Sequence, residues 1–368
     1  MNIVKEFTEL LKGTRPIKDS EGNIIIQKIM NMSLVCLTTD DEYSLDDRFE
    51  NPLSSLKASN TTYGEIKLNN QTSKDTITPA QIAVMTKEHA QNHGMVKAGY
   101  VSANSIIKFN DAGCVQGSQA GYININSAQE IRMMPVTMRE MLFEKIGNTS
   151  GHGNIYPAIR RLGQDTQSNA GEYLDKYFNK YDKKLNEFIS HFELLDKTIG
   201  IIVLIDDEIV SIDKYPSFTY TRQVWNLLIR DCYGALAIIE ELNNSKSKNL
   251  FTETLSNTHR KSNESVLDKL ERALNKTKKN MTKTVEEKIE NLFDLALETQ
   301  LDNIGNSSNI NEPKSYLLKN EGYIGQLITE NNYHHLVSIV KKDKFDPSAL
   351  RKVNEMKRKA RNQERFSL

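Results

Sequence analysis

The most regular pattern of apolar positions lies between residues 174 and 195, where hydrophobic side chains recur alternately four and three residues apart. This spacing places them on one face of a helix, with Asp, Lys, Asn and Glu on the opposite face. It predicts a single helix over 174–195 that buries its apolar face. The aromatic side chains favour a helix packed along a sheet over a dimeric coiled coil. The apolar positions are Leu174, Phe178, Tyr181, Leu185, Phe188, Phe192 and Leu195.

Two strand-like runs follow this helix, Ile199–Ile205 and Glu208–Lys214, and only Asp206 and Asp207 separate them. Two runs joined by two such residues predict a β-hairpin, and we expect the preceding helix to pack against its sheet. Apolar positions at helical spacing over 224–239 then predict a buried helix. With further strand-like runs in the first half of the chain, the pattern predicts an α+β fold. We expect a mixed or antiparallel sheet with packed amphipathic helices, followed by a helical C-terminal extension.

The composition changes beyond Leu242. The pattern over residues 243–300 predicts a polar linker followed by a long helical arm over 262–300. A stretch of Lys and Thr interrupts the apolar positions of this arm. A helix that buries so little surface is typical of an element that contacts a protein partner or a second copy of the chain. Residues 301–368 predict a small helical segment with a basic tail. The predicted α+β domain therefore covers residues 1–242.

Composition restricts the class of protein more than its function. The 48 Lys and Arg residues balance the 48 Asp and Glu residues, so the chain is not a wholly basic nucleic-acid coat. Three cysteines in 368 residues are typical of free thiols in a reducing compartment and cannot form a disulfide scaffold. No apolar run approaches the roughly 20 residues that a membrane helix needs. We therefore expect a protein of the cytoplasm or of an assembled particle, with no membrane contact.

Few side-chain patterns suggest catalysis or metal binding. His89 and His93 are four residues apart, but Ala follows the first His where zinc proteases have Glu, and no third ligand is evident. We therefore predict neither a metal nor a cofactor. Cys114 lies in a glycine-flanked loop, and a nucleophilic thiolate there would need a base such as His89, His93 or His152 to approach it. A small buried thiol is the simpler interpretation.

A series of short motifs extends from this cysteine through the middle of the chain. The motifs are Cys114-Val115-Gln116-Gly117, Met138-Arg139, Gly153-Asn154-Ile155-Tyr156, Ile199 to Asp213, and Val224-Trp225-Asn226-Leu227-Leu228. In this order they resemble the family named for its genomic association with ADP-ribosylglycohydrolases and rhodanese-like phosphatases. The resemblance covers roughly residues 80–240. It implies an α+β domain with a genomic link to NAD and ADP-ribose metabolism, and no assigned reaction.

The chain departs from the pattern expected of this family at two positions. Gln116 stands where the resemblance implies an acid after Cys-Val, and Tyr156 stands where it implies a tryptophan. Loss of the carboxylate removes the most plausible general acid or base from this loop. The resemblance is therefore compatible with a protein that binds a ligand without transforming it.

Two hypotheses about function follow. The first is a non-catalytic protein that binds an ADP-ribose-like or other NAD-derived nucleotide, with amides contacting base and ribose and an arginine binding a phosphate. Its predicted site residues are Cys114, Gln116, Gln119, Arg139 and Asn154. The second is a structural or assembly protein, for example of a phage or virus particle, that uses the α+β domain as a scaffold and the C-terminal helices as contacts. An enzyme is the third choice, because no catalytic set assembles from the sequence.

The C-terminal 28 residues form a cationic segment, with ten Lys or Arg against four Asp or Glu. Such a segment gains most by contact with phosphates or an acidic surface, through counterion release. The simpler interpretation is a solvated tail. We predict weak polyanion binding or contact with an acidic patch, such as the acidic residues 40–50 of the same chain. The basic residues concerned are Arg351, Lys352, Lys357, Arg358, Lys359 and Arg361.

Overall fold

A computed structural model describes residues 3–11, 13–39, 48–86, 91–117, 121–147, 153–251, 285–292, 298–304, 312–331 and 333–342. The strands are β1 Ile3–Glu6, β2 Thr14–Pro16, β3 Ile26–Ile29, β4 Met32–Thr39, β5 Leu56–Ser59, β6 Ile66–Asn70, β7 Thr76–Ile77, β8 Ile82–Thr86, β9 His93–Met95, β10 Tyr100–Val101, β11 Ser105–Phe109, β12 Ala112–Cys114, β13 Gln129–Met133, β14 Gly200–Ile205, β15 Glu208–Lys214, β16 Glu298–Asn303, β17 Lys314–Lys319, β18 Tyr323–Glu330 and β19 Tyr333–Lys341. The helices are α1 Phe7–Leu10, α2 Pro52–Ser55, α3 Arg139–Phe143, α4 Tyr156–Asp165, α5 Leu174–Ile189, α6 Phe218–Leu227, α7 Gly234–Phe251 and α8, residues 285–292. A 3₁₀ turn, Val136–Met138, precedes α3, and a π-helical segment, Leu228–Tyr233, joins α6 to α7.

The largest sheet contains ten strands in the order β1-β16-β17-β18-β19-β15-β14-β4-β2, with β3 also paired to β4. All of its described pairings are antiparallel. Strands from the beginning, the middle and the end of the chain therefore share one sheet. The expected α+β class with antiparallel strands is confirmed.

Both faces of this sheet are covered. Along β14, Ile201 and Val203 point to a core shared with α3, α4, α5, α6 and α7, whereas Ile202 and Leu204 point to a second core on the opposite face. Residues that alternate along a strand face opposite sides of the sheet, so a strand buried on both sides is apolar throughout. On the second face the sheet is covered by α8 and by residues at the end of α1.

The helix predicted over 174–195 is present but shorter. It ends at Ile189, with Ser190 as its C-cap, and it buries the expected stripe from Leu174 to Phe188. Phe192 lies beyond the helix and is also buried. Within the layer that covers the sheet, α5 contacts α7 and the π-helical segment. Its apolar face is therefore buried largely against other helices.

The predicted hairpin is confirmed, since β14 pairs with β15 and Asp206 and Asp207 form the connection between them. Both residues have positive φ angles, 51° and 61° respectively. A two-residue turn with positive φ at both positions is the type I′ geometry, whose twist matches that of the adjoining strands. Aspartate tolerates this conformation better than most residues, which explains why the turn needs no glycine.

The helical prediction for residues 301–368 is wrong for the part that the structure describes. Residues 314–341 form β17, β18 and β19, and β19 pairs with β15 of the predicted N-terminal domain. Both faces of these strands are buried, so apolar residues occupy consecutive positions along them. Such runs also contain the three- and four-residue spacings that predict a helix. The basic tail from Arg351 to Arg361 lies outside the described residues.

The long helical arm predicted over 262–300 is described only in part. Residues 298–300 belong to β16, and residues 285–292 form α8, which packs on the main sheet through Val285, Ile289 and Leu292. Ile289 is fully buried, and Lys288 binds Glu208 in the hairpin across a 2.8 Å ion pair. The described part of the predicted arm is therefore a component of the fold, and contact with a partner through residues 262–300 stays a prediction.

Three smaller antiparallel sheets lie beside the large one: β12-β9-β8-β13, β11-β6-β5 and β10-β7. They contribute most of a third core, which contains Leu68, Val84, Met95 and Phe109. The first of these sheets carries Cys114 at the end of β12. No helix in the described part of the chain is long and apolar enough to cross a membrane.

Candidate functional site

Arg139 lies between the helical layer and the main sheet, and it is fully buried. Its Nη1 donates to both carboxylate oxygens of Asp213 on β15, at 2.9 and 3.0 Å, and to Ser211 Oγ at 3.2 Å. Its Nη2 lies 3.0 Å from the sulfur of Cys232 in the π-helical segment. The hydroxyl of Tyr233 also donates to Asp213.

This environment excludes Arg139 from a solvent-facing ligand site. Burial acts against the charged guanidinium, but the adjacent carboxylate of Asp213 outweighs it and raises the pKa of Arg139 well above its usual value. Burial also raises the pKa of Cys232 to about 12, so this thiol stays neutral. The prediction that Arg139 joins Cys114 in one pocket is therefore wrong. An arginine among buried residues needs a carboxylate partner, and Asp213 already accepts hydrogen bonds from Nη1 of Arg139.

Cys114 lies directly opposite His93, because β12 and β9 pair with these two residues in register. Both are buried, and Cys114 Sγ lies 3.9 Å from His93 Nε2. Of the three histidines considered as partners for this thiol, His93 is therefore the one that the structure brings to it. His89 and His152 lie outside the described residues.

The protonation state of His93 follows from its neighbours. Its Nδ1 lies 2.9 Å from the backbone carbonyl of Gln91, which can only accept, so Nδ1 carries the proton. Its Nε2 lies 3.0 Å from Asn60 Nδ2. The Asn60 amide is oriented by Ile123, whose backbone N–H donates to Asn60 Oδ1, so Asn60 Nδ2 faces His93 as a donor. The His93 ring thus accepts at Nε2, and Asn60 already uses that lone pair.

The Cys114 thiol is correspondingly unactivated. Burial raises its pKa to about 11, against smaller lowering effects of hydrogen bonds from Tyr156 and Gln91. A thiol with this pKa has very little thiolate at neutral pH, and its nearest base is engaged elsewhere. The geometry agrees with the simpler interpretation of Cys114 as a small buried side chain.

The loop after Cys114 is held by Gln116, whose backbone carbonyl accepts from Gln91 Nε2 and, at 3.2 Å, from the hydroxyl of Tyr156. The side-chain Oε1 of Gln116 is buried and has no hydrogen-bond partner in the described part of the chain. A buried acceptor of this kind can accept a hydrogen bond from a ligand or a water molecule.

Asn154 lies beside the same loop but against the opposite face of β12. Its Oδ1 occupies the space of the missing side chain of Gly113: a Cβ built there would lie 2.1 Å from it. Side chains alternate along a strand, so Gly113 and Cys114 face opposite sides. Asn154 Oδ1 is also buried, with no hydrogen-bond partner among the described residues. The structure thus places Cys114 and Gln116 in one loop and Asn154 on the opposite face of β12, whereas Gln119 lies outside the described residues.

Two tyrosines lie at the surface on the His93 side of this loop. The ring of Tyr63 stacks on that of His93 with centroids 6.2 Å apart, and the ring of Tyr122 lies 5.2 Å from Tyr63. Tyr63 is 39% exposed and Tyr122 is 50% exposed, which makes them two of the four large hydrophobic side chains that are exposed among the described residues. Together with loop 114–117 they define a candidate site, which we call the Cys114 site.

The sequence signals for several of these residues were weak. Tyr63 and Asn60 lie in a Ser-, Thr- and Asn-rich stretch that carries no motif, and only pairing between strands brings it to His93. The only sequence signal at Tyr156 was that it replaces the tryptophan expected from the family resemblance. No group of His, Cys, Asp and Glu residues in the described ranges is arranged to hold a metal ion.

A separate cavity of about 110 Å³ lies between β11 and the residues that flank β17. Its lining is mainly apolar and includes Tyr100, Ile107, Phe109, Ile304 and Pro313. At its edge Lys97 forms an ion pair with Asp111. The residues that line this cavity are distinct from those of the Cys114 site.

A family model described as the ARG and Rhodanese-Phosphatase-superfamily-associated Protein domain matches residues 30–307, or 278 of the 368 residues. The match extends well beyond the span suggested by the sequence motifs and includes β16, whereas β17, β18 and β19 lie beyond it. Neither a curated protein nor a solved structure matches the chain.

Proposed function

We propose that this chain, which belongs to the ARG and Rhodanese-Phosphatase-superfamily-associated Protein family, binds an ADP-ribose- or NAD-derived nucleotide at the Cys114 site without transforming it. ARG in the family description denotes ADP-ribosylglycohydrolase, so the name itself associates the family with ADP-ribose metabolism. This association supports an ADP-ribose- or NAD-derived nucleotide as the ligand. The geometry of the Cys114 site supports that site as the place where it binds.

The observation that carries this proposal is the combination of a buried acceptor without a partner and an exposed tyrosine pair at one loop. No donor among the described residues reaches Gln116 Oε1, and a buried acceptor left without one costs about 1–3 kcal/mol. Ribose hydroxyls, the adenine amine and the nicotinamide amide are all suitable donors. Tyr63 and Tyr122 offer aromatic faces on which a base can stack, a contact worth about 1–3 kcal/mol per base.

The same geometry supports binding over catalysis. The Cys114 thiol is neutral at physiological pH, and the acceptor nitrogen of His93 is engaged by Asn60. A nucleophile of this kind would need a thiolate or an available base. The neutral amides of Gln116 and Asn154 recognise hydrogen-bond donors but cannot transfer a proton at neutral pH.

Isothermal titration calorimetry with ADP-ribose and with NAD tests this proposal. Tyr63→Ala and Gln116→Ala should each weaken binding about tenfold, which corresponds to the loss of one stacking contact or one hydrogen bond. Ile106→Ala is the matched control, since Ile106 is also an exposed apolar side chain, at 61%, but lies on β11. The proposal fails if the wild-type chain binds neither ligand, or if the control weakens binding as much as Tyr63→Ala.

The second hypothesis, a structural or assembly protein, has less support. Its main element was the helical arm over 262–300, and the described helix within that arm, α8, covers the chain's own sheet. Polyanion or partner binding by the basic tail, from Arg351 to Arg361, stays a prediction, because that segment lies outside the described residues.

A further inference from the structure

Arg160 and Glu172 form an ion pair at the surface beside the Cys114 site, between Arg160 Nη1 and Glu172 Oε1. The two side chains are 48% and 37% exposed. Arg160 lies four residues after Tyr156 on α4, so both side chains project from the same face of that helix. Tyr156 contacts the carbonyl of Gln116, and the same helical face therefore presents a cation next to the loop.

Glu172 also contacts the loop, because its side chain packs against Gly117. A Cβ built on Gly117 would lie 2.6 Å from Glu172 Oε2 and 2.8 Å from Glu172 Cβ, so the carboxylate side chain packs directly against the glycine. Any larger residue at position 117 would have to displace Glu172. Burial and the nearby Cys114, together with the charge of Glu172, also raise the pKa of Tyr156.

We propose that Arg160 binds a phosphate of the nucleotide at the Cys114 site, and that Glu172 is the counter-ion that this phosphate replaces. This inference rests on the proposed function. Arg160 would bind the phosphate in place of Arg139, for which the sequence suggested this role. The structure places Arg139 in a buried pair with Asp213. Arg160 differs in being partly exposed and next to the loop that carries Gln116.

The chemistry of the exchange is favourable because a guanidinium binds phosphate and carboxylate in the same bidentate geometry. A partly exposed ion pair contributes little to stability, so replacing the carboxylate by a phosphate costs little. Glu172 would repel an incoming phosphate until Arg160 turns from one anion to the other. Arg160 therefore binds the phosphate, and Glu172 weakens this binding by competing for the same guanidinium.

Calorimetric titration of the full chain with ADP-ribose and with adenosine separates the two roles. Arg160→Ala should weaken ADP-ribose binding at least tenfold and change adenosine binding by less than twofold, since adenosine has no phosphate. Arg160→Lys keeps the charge but not the bidentate geometry, and it should weaken ADP-ribose binding by an intermediate factor. Glu172→Gln should strengthen ADP-ribose binding about threefold or more, with no effect on adenosine.

Lys184→Ala is the matched control for the loss of a surface charge. Lys184 pairs with Glu241 at 2.6 Å, both are about half exposed, and the pair lies on α5 and α7. This variant should bind both ligands as the wild type does. Thermal unfolding of each variant verifies that the fold is retained.

Three results would overturn the inference. If Arg160→Ala weakens adenosine and ADP-ribose equally, Arg160 acts on the shape of the site and not on phosphate. If Glu172→Gln weakens ADP-ribose binding, the carboxylate contacts the ligand directly. If the wild type binds both ligands and Arg160→Ala changes neither, only the phosphate assignment fails, whereas absence of binding by the wild type removes the proposed function as well.

Discussion

Nη1 of Arg139 lies 2.9 Å from Oδ1 of Asp213, and neither side chain is accessible to solvent. The pair connects α3 in the helical layer to β15 in the middle of the main sheet. Charges in such a position lose their hydration, and only their mutual contact and further hydrogen bonds offset that loss. The pair therefore joins the helical layer to the sheet through a contact that each charge needs.

Replacing one member of this pair should be strongly destabilising. Arg139→Met leaves the carboxylate of Asp213 buried without its cation, and we expect the free energy of unfolding in urea to fall by about 3–5 kcal/mol. The double variant Arg139→Met/Asp213→Leu should lose less, because no uncompensated charge remains. Lys184→Ala, which breaks an exposed pair, should cost at most about 1 kcal/mol. An Arg139→Met chain as stable as the wild type would contradict this account of the core.

Truncating the apolar face of α5 should also be costly. Phe188 is 5% exposed, and its ring lies 5.2 Å from that of Phe192 in an edge-to-face contact. Phe188→Ala leaves a cavity where the helix meets its neighbours, and we expect a loss of about 3–5 kcal/mol in thermal or urea unfolding. Lys183→Ala on the exposed face of the same helix is the control and should be nearly neutral. Near-neutral behaviour of Phe188→Ala would mean that this face is not core.

The stability of the fold should decrease as the pH falls from 7 to 5. Burial lowers the pKa of His335 to about 4, with Arg48 and Lys214 also disfavouring its charged form, although the hydrogen bond to Glu330 raises the pKa in part. In the unfolded chain the histidine has a pKa of about 6.5, so the unfolded state binds a proton that the folded state does not. We expect the free energy of unfolding to fall by about 2 kcal/mol over this interval.

His335→Gln isolates this contribution, because it removes the titrating group and keeps a polar side chain of similar size. Its free energy of unfolding should change less between pH 7 and 5 than that of the wild type. The pKa of Glu330 is lowered by Arg48, so its stabilising effect is lost on acidification only below about pH 4.5. An unchanged slope in His335→Gln would show that other groups govern the acid sensitivity.

The Cys114 thiol should react slowly with electrophiles. Its pKa of about 11, against an ordinary value of 9.0, reduces the thiolate fraction at pH 8 by about 100-fold. We expect alkylation by iodoacetamide, resolved by mass spectrometry of the Cys114 peptide, to be at least about 100-fold slower in the native chain than in urea. Rapid labelling of Cys114 in the native chain would indicate an activated thiolate and favour an enzyme.

Elements that depend on residues close together in the sequence could be predicted from it. The stripe of α5 and the turn at Asp206 and Asp207 were predictable, because helical period and turn chemistry act over a few residues. The strands β17, β18 and β19 were mistaken for helix because both of their faces are buried. Positions such as Ile324 and Ile328 are four residues apart and satisfy a helical pattern, although they face one side of a strand.

The candidate site was predictable in part for a similar reason. The motifs that contain Cys114, Gln116 and Asn154 are close in the fold, with Asn154 against the opposite face of β12. Their role in binding a ligand stays a prediction. Arg139 was misplaced because its counter-ion, Asp213, is 74 residues away and no local pattern reveals it. The apolar residues around Arg139 were the available signal: an arginine on an otherwise buried helix requires a buried acid.

The position of β19 next to β15 has a consequence for synthesis on the ribosome. β15 is buried along nearly all its length, yet the strand that covers its edge ends at Lys341, more than 120 residues later. While those residues are being translated, the nascent chain presents an apolar edge with unpaired backbone groups, which is the kind of surface that aggregates. Once it is translated, β19 pairs with this edge and satisfies its backbone groups.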